Sequence, residues 1–168
     1  MTEAATHFDH WLRDAHAMEK QAEQMLSAQA KRIENYPDLS ARIEEHLRET
    51  QSQSARLEAC IERRGESTST LKDTAGKFTA LMQGFGGMFA GDEVVKGSLA
   101  SYTFEHLEIA SYKVLIAAAE VVGDVETRDV CTEILREEEA MAEWLAAHID
   151  GVTKEFLARD DLDLEAKR

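Results

Sequence analysis

Apolar residues recur at helical spacing along four long segments of the chain. In the first segment, an inner stripe is formed by Phe8, Leu12, Ala15, Ala22 and Leu26. Residues three and four positions apart share one face of an α-helix, so each stripe predicts an amphipathic helix with a buried side. The predicted helices cover about residues 6–35, 39–64, 92–122 and 125–157. The pattern therefore predicts an all-α fold.

The connections between the predicted helices alternate in length. A short turn at Pro37 joins the first two helices, and Gly123 separates the last two. Between these pairs lies a crossover of about 27 residues, 65–91, with a predicted short helix of its own. Two antiparallel hairpins joined by one long crossover are typical of a ferritin-like four-helix bundle. Residues 1–168 are accordingly predicted to form a single domain.

Several glutamates lie on the inner stripes, among apolar neighbours. In the third helix, Glu105 and Glu108 fall within an arc of about 100° that also holds Ile109. Glu19 and Glu138 lie near the centres of the first and fourth stripes. A buried carboxylate costs several kcal/mol unless a cation or hydrogen-bond donors compensate it. A metal ion, a proton shared within a polar core, or a different orientation of the helices would each explain these positions.

A pair of metal ions is the interpretation that uses these glutamates together. Di-metal centres of ferritin-like bundles take glutamates from facing helices, because Fe and Mn accept hard oxygen ligands and carboxylates can bridge two ions. The predicted metal ligands are Glu19, Glu49, Glu105, Glu108 and Glu138. The polar residues predicted to support them are His46, Gln53 and Tyr112. The usual Glu-x-x-His spacing is missing, since the third residue after Glu49 is Ser52. Likewise, the third residue after Glu138 is Met141.

The chain is strongly acidic, with a net charge of −14 and acidic residues along most of its length. This charge repels nucleic-acid phosphates and anionic membrane surfaces, so neither is predicted as a partner. Cys60 and Cys131 occupy apolar positions of predicted helices without CxxC spacing, which indicates buried thiols and no disulfide. The N-terminal residues lack an apolar targeting segment. Together these features predict a cytoplasmic protein.

Four blocks of sequence carry most of the polar residues named above. They are Glu19-Lys20-Gln21, His46-Leu47-Arg48-Glu49-Thr50 with Gln53 and Arg56-Leu57-Glu58, Glu105-His106-Leu107-Glu108-Ile109-Ala110-Ser111-Tyr112, and Glu137-Glu138-Glu139. With them, the helical region resembles the YciE/YciF-type ferritin-like stress-response proteins, which are distantly similar to rubrerythrins. The resemblance implies a four-helix ferritin-like fold, a homodimer and an association with bacterial stress responses. The chain departs from that family at Arg48 and Ala142, where acidic residues are common.

Two hypotheses for the function follow. The first is a bacterial stress-response protein that holds two Fe or Mn ions and acts as an oxidoreductase on peroxide or O₂, with a small oxidant as its partner. No residue is assigned a catalytic role. The second is a non-enzymatic helical bundle with a vestigial metal site, which dimerises or binds a protein partner. The apolar part of the crossover, from Phe78 to Phe89, is the predicted dimer face.

Overall fold

The computed structural model of the chain describes residues 2–66 and 92–166. Within these ranges it contains four α-helices and no strand. They are α1 (Glu3–Ala30), α2 (Pro37–Arg63), α3 (Glu93–Val122) and α4 (Val125–Asp161). The predicted all-α architecture of four helices is therefore confirmed. The predicted crossover helix and the predicted dimer face from Phe78 to Phe89 lie outside the described residues.

The helices form two hairpins that pack side by side. α1 packs mainly against α2 and α3, and α4 packs mainly against α3 and α2. Salt bridges link the hairpins at both ends: Arg32 pairs with Glu93 at one end, and Arg64 joins Asp9 to Asp124 at the other. These contacts hold four helical faces toward one shared interior.

The turn at Pro37 differs in detail from the prediction. α1 ends at Ala30, five residues earlier than expected, where the carbonyl of Gln29 accepts the amides of Arg32 and Ile33 and closes the last turn. Tyr36 has φ −127° and ψ 75°, outside the helical region that the following proline disfavours. Pro37 itself is the first residue of α2, where its missing N–H leaves no helical hydrogen bond unmade.

The turn between α3 and α4 follows the sequence pattern closely. Gly123 ends α3 in the left-handed conformation with φ 75°, which glycine adopts without a steric penalty. The carboxylate of Asp124 then accepts the backbone amide of Thr127 at 3.1 Å and caps α4. This chemistry turns the chain within two residues and sets α4 antiparallel to α3.

Two apolar clusters fill the interior and lie at different levels of the bundle. The first cluster includes Phe8, Leu12, Met18, Leu57, Ile61, Leu115 and Ile134. The second includes Leu26, Ile43, Val94, Met141 and Leu145. Each fully buried aliphatic or aromatic side chain contributes roughly 1.5–3 kcal/mol to folding. Along α2, the second cluster precedes and the first follows the segment from His46 to Gln53, so the polar residues of that segment lie between the two clusters.

No helix within residues 2–66 and 92–166 combines the length and the apolar character needed to cross a membrane.

Candidate metal centre

The two glutamates of α3 lie in the interior of the bundle. Glu105 and Glu108 are each 1% exposed, and they are one helical turn apart on the face that also buries Tyr112. Glu138 of α4 is fully buried opposite them, at the centre of its inner stripe. Because α3 and α4 pack directly against each other, their three carboxylates meet in one place.

His46 of α2 completes this carboxylate cluster. Its Nε2 atom lies 3.2 Å from Glu105 Oε2 and 3.4 Å from Glu138 Oε2. Each of the residues His46, Glu105, Glu108 and Glu138 offers one ligand atom, and these four atoms all lie within 4.8 Å of one another. We refer to these four residues as the core cluster. A group of three carboxylates and one imidazole is a donor set suited to Fe or Mn.

Glu49 lies beside the core cluster and contacts the opposite nitrogen of the His46 ring. His46 Nδ1 is 2.8 Å from Glu49 Oε2, and Arg42 Nη1 donates to the same carboxylate oxygen at 3.2 Å. The side chain of Glu49 is 30% exposed, in contrast to the buried core cluster. In a neutral ring that donates Nδ1–H to Glu49, the Nε2 lone pair is the one available to a metal ion. Such carboxylate–histidine pairs commonly orient imidazole ligands.

The imidazole therefore comes from a position that the sequence reasoning treated as supporting. The usual motif has its histidine three residues after a glutamate, whereas His46 stands three residues before Glu49. Spacings of three residues in either direction place two side chains on the same helical face, so the reversed order was the available signal. His46 is 1% exposed, which the pattern of α2 alone did not indicate.

Glu19 and Tyr112 border the core cluster on the other side. Both are fully buried, and the Tyr112 hydroxyl donates a hydrogen bond to Glu19 Oε1. Glu19 is not one of the four residues whose ligand atoms lie mutually within 4.8 Å. Its second oxygen, Oε2, is buried without a hydrogen-bond partner. Tyr112 thus holds Oε1 of Glu19, and Oε2 is left as a potential ligand atom.

Gln53 holds the carboxylate of Glu138 in place. Its amide nitrogen donates to Glu138 Oε1 and also to Glu137 Oε2, the latter at 2.9 Å. Arg56 Nη2 lies 2.5 Å from the same oxygen of Glu137, so a cation lies close to the cluster on the solvent side. The sequence predicts Arg56 neither as a ligand nor as a supporting residue, although it belongs to a block that carries the family resemblance. Its position three residues after Gln53 was the signal, since it continues the same polar row of α2.

Burial and mutual repulsion make the glutamates weak acids. Burial raises the pKa of Glu108 well above its usual value, and the charges of Glu138 and Glu19 raise it further. Burial, reinforced by the charge of Glu138, likewise raises the pKa of Glu19. The pKa of Glu138 rises to about 8, mainly through burial. Without a cation, the carboxyl of Glu138 therefore keeps most of its proton at neutral pH.

His46 shifts in the opposite sense to that expected for a buried imidazole. Burial alone would lower its pKa, but its contacts with Glu105 and the other carboxylates outweigh burial and raise it to about 12. The hydrogen bonds to His46 and Arg42 lower the pKa of Glu49 despite partial burial. The site is therefore electrostatically arranged to favour a positive charge at its centre.

Several atoms that face the site have no hydrogen-bond partner. Among the described residues, Glu19 Oε2 and Glu108 Oε1 are buried without a hydrogen-bond partner. Glu105 Oε2 and Glu138 Oε2 are also buried without a hydrogen bond of good geometry, and each lies at ion-pair distance from His46 Nε2. Native interiors leave few buried polar atoms unpaired, so a concentration of oxygens and one imidazole nitrogen points to a group that they bind. The residues present fit a divalent metal centre, because every one of these atoms is a ligand that Fe or Mn accepts.

Comparisons with known proteins agree over most of the chain. The family model described as "Domain of unknown function (DUF892)" matches residues 3–158. The chain is 32% identical over 144 residues to protein YciF of Escherichia coli strain K12. The aligned region covers 79% of this chain and 82% of that protein. A crystal structure of a Xanthomonas campestris pv. campestris protein superposes with a TM-score of 0.81 and 42% identity, covering 95% of this chain and 99% of that one. The crystal structure of the E. coli stress protein YciF superposes with a TM-score of 0.68 and 25% identity, covering 89% and 96% of the two chains.

Proposed function

The chain belongs to the DUF892 family of YciF-type proteins, and from its core cluster we propose that it holds a pair of Fe or Mn ions inside its ferritin-like bundle. The observation that carries this proposal is the convergence of His46, Glu105, Glu108 and Glu138, all buried, with one ligand atom of each within 4.8 Å of the others. Three helices contribute to this group, so the folded bundle assembles it and the unfolded chain does not.

The proposed ligands divide into two sets. The core cluster supplies the imidazole Nε2 and three carboxylates, and Glu19 supplies its unpartnered Oε2 from the neighbouring side. Glu49 orients His46 through Nδ1, and Gln53 orients Glu138 through its amide. Glu105 and Glu138, which come from facing helices, would help to hold the ions and balance their charge.

A bound Fe or Mn pair would supply electrons for the reduction of a small oxidant such as peroxide or O₂. The protein itself would exclude water from the site, because the first and second apolar clusters lie on either side of the core cluster along the bundle. Tyr112 holds a proton on its hydroxyl, which it shares with Glu19. Burial raises the pKa of Tyr112 well above its usual value, so the phenol stays protonated beside the acids.

Metal analysis tests the proposal directly. Tag-free protein is reconstituted anaerobically with Fe(II) or Mn(II), desalted and analysed for metal, in wild type, Glu105→Gln and Glu138→Gln. We expect about two ions per chain in the wild type and less than about one in each variant, because each substitution removes a charged ligand. Glu139→Gln is the matched control, since Glu139 is the next residue on α4 with its side chain 49% exposed.

Two outcomes would contradict the metal proposal: wild-type loading below about one ion per chain, or equal loading in all four proteins. Either would favour the second candidate, a non-enzymatic bundle with a metal-free polar core. The observation that favours this alternative is the position of His46, whose Nε2 lies 3.2 Å from Glu105 and 3.4 Å from Glu138 and can compensate their charge without an ion. The same measurement therefore separates the two functions.

A further inference from the structure

Polar contacts fix the register between α2 and α4. Gln53 Nε2 donates to Glu137 Oε2 at 2.9 Å, and Arg63 Nη2 donates to Thr127 Oγ1 at 2.7 Å. The step from Gln53 to Arg63 is ten residues along α2, and the step from Glu137 to Thr127 is ten residues back along α4. The two helices are therefore antiparallel, and their register stays constant over this stretch.

This register brings the two cysteines to the same level. Cys60 lies three residues before Arg63 on α2, and Cys131 lies four residues after Thr127 on α4. The two positions therefore differ in height by about one residue's rise of ~1.5 Å. Both side chains face inward, because Cys60 is 3% and Cys131 is 0% exposed, and both belong to the first apolar cluster.

From this register and burial, we propose that Cys60 and Cys131 are a redox-active pair that forms a disulfide across the α2–α4 contact, linking the two hairpins of the bundle. The pair is reduced in the structure, with both thiols free. Electrostatics supports their proximity: burial raises the pKa of Cys131 to about 12, and the charge of Cys60 raises it in the same direction. Thr127 lies one helical turn before Cys131 on the same face of α4, and its Oγ1 accepts a hydrogen bond from Arg63, so this face of α4 is directed toward α2.

The oxidant required is a hydroperoxide, which accepts two electrons. Cys60 gives up its thiol proton, and its thiolate attacks one oxygen of the hydroperoxide, so that the O–O bond breaks and a sulfenic acid forms at Cys60. The other oxygen takes up a proton and leaves as water or an alcohol. The second thiol attacks the sulfenic sulfur, forms the S–S bond and releases water. In sum, two thiols and one hydroperoxide give one disulfide, one alcohol or water, and one further water.

The equilibrium constant for disulfide formation tests whether the folded bundle pairs these cysteines. Full-length protein is equilibrated with oxidised and reduced glutathione, and the disulfide fraction is measured by mass after acid quenching and alkylation. The same equilibrium is measured in denaturing guanidinium chloride. We expect the constant for the native protein to exceed that of the denatured chain at least about tenfold, equivalent to ~30 mV, because the fold holds the thiols together.

A native constant equal to or below that of the denatured chain overturns the proposal, as does a product made mainly of disulfides between separate chains. Cys60→Ser and Cys131→Ser control for intermolecular and mixed disulfides, and Cys131→Ala replaces the latter variant if serine prevents folding. By thermodynamic linkage, the oxidised protein must also be more stable than the reduced protein by the same ratio of constants. A lower thermal midpoint after oxidation would contradict the native-state measurement and overturn the proposal independently.

Discussion

At the scale of single residues, the two nitrogens of His46 have different partners. Nδ1 contacts Glu49 at 2.8 Å, and Nε2 faces Glu105 and Glu138. A helical stripe derived from sequence gives the angle of a side chain around its helix, but it does not tell which ring nitrogen faces inward. The stripes placed Glu105, Glu108 and Glu138 on the interior faces. They could not distinguish Glu49 as a metal ligand from Glu49 as the partner of His46.

Substitution of Glu49 separates these two roles. If Glu49 orients His46, Glu49→Gln keeps the number of ions per chain and weakens metal affinity by about 10–100-fold, because the amide is a poorer acceptor for Nδ1–H. Affinity is measured by competition with a chromogenic chelator. Glu45→Gln is the matched control, since Glu45 also pairs with Arg42 at 3.2 Å but is 58% exposed.

The predicted ligand role of Glu49 gives a different result in the same experiment. Loss of one ion per chain in Glu49→Gln, with the remaining ion bound at wild-type strength, would make Glu49 a ligand. It would contradict the orienting role proposed here.

At the scale of secondary structure, the sequence predicted which segments are helical better than where they end. The apolar stripes run through all four helices, and Gly123 ends α3 as expected. α4 continues to Asp161, four residues beyond the predicted end, and Val152, nine residues before Asp161, is buried in the second apolar cluster. Helix ends depend on caps and on tertiary contacts of the last turn, which leave weak marks in a periodic pattern.

Two glycines offer a matched test of helix chemistry. Gly123 has φ 75°, whereas Gly151 lies within α4, and a Cβ atom at either position would meet nothing within 4 Å. Gly123→Ala should destabilise the protein by about 1–2 kcal/mol because of the left-handed backbone. Gly151→Ala should stabilise it by about 0.5–1 kcal/mol because alanine loses less backbone entropy on folding. Denaturant unfolding of both variants measures the two changes, and shifts of the same sign would contradict this explanation.

At the scale of the whole molecule, the buried acids couple stability to pH. Glu138 has its pKa raised from 4.5 to about 8 by burial, so the folded protein keeps a proton that the unfolded chain loses over that range. The folded state then binds more protons than the unfolded state, and stability must fall as pH rises from 4.5 to about 8. His46 acts in the same direction at higher pH, since its pKa is raised from 6.5 to about 12.

Denaturant unfolding of metal-free protein across this pH range checks the sign. We expect the free energy of unfolding to decrease steadily from pH 4.5 to about 8 and the decrease to be smaller in Glu138→Gln, which cannot titrate there. Asp124 does not interfere, because hydrogen bonds and arginines lower its pKa from 3.8 to about 2 against the effect of burial. A flat or rising profile in the wild type would contradict the buried, protonated state of the cluster.

Metal binding should reverse this pH dependence, since ligands must lose their protons to bind an ion. The sequence predicted the four-helix bundle and the interior acids, because both depend on local periodicity. The meeting of residues from three helices at one point depends on packing that periodicity does not encode. The homodimer and the oxidoreductase activity stay predictions.

The polar layer between the two apolar clusters also constrains how this sequence can change over evolution. α2, α3 and α4 each place at least one member of the core cluster in that layer, and Glu19 of α1 lies beside it. Replacing one member by an apolar residue leaves its buried polar neighbours without a partner and destabilises the fold. Replacing the whole group together can leave the stability nearly unchanged. Substitutions in this layer are therefore expected to be strongly epistatic. Lineages that lose the site should lose it on all four helices together.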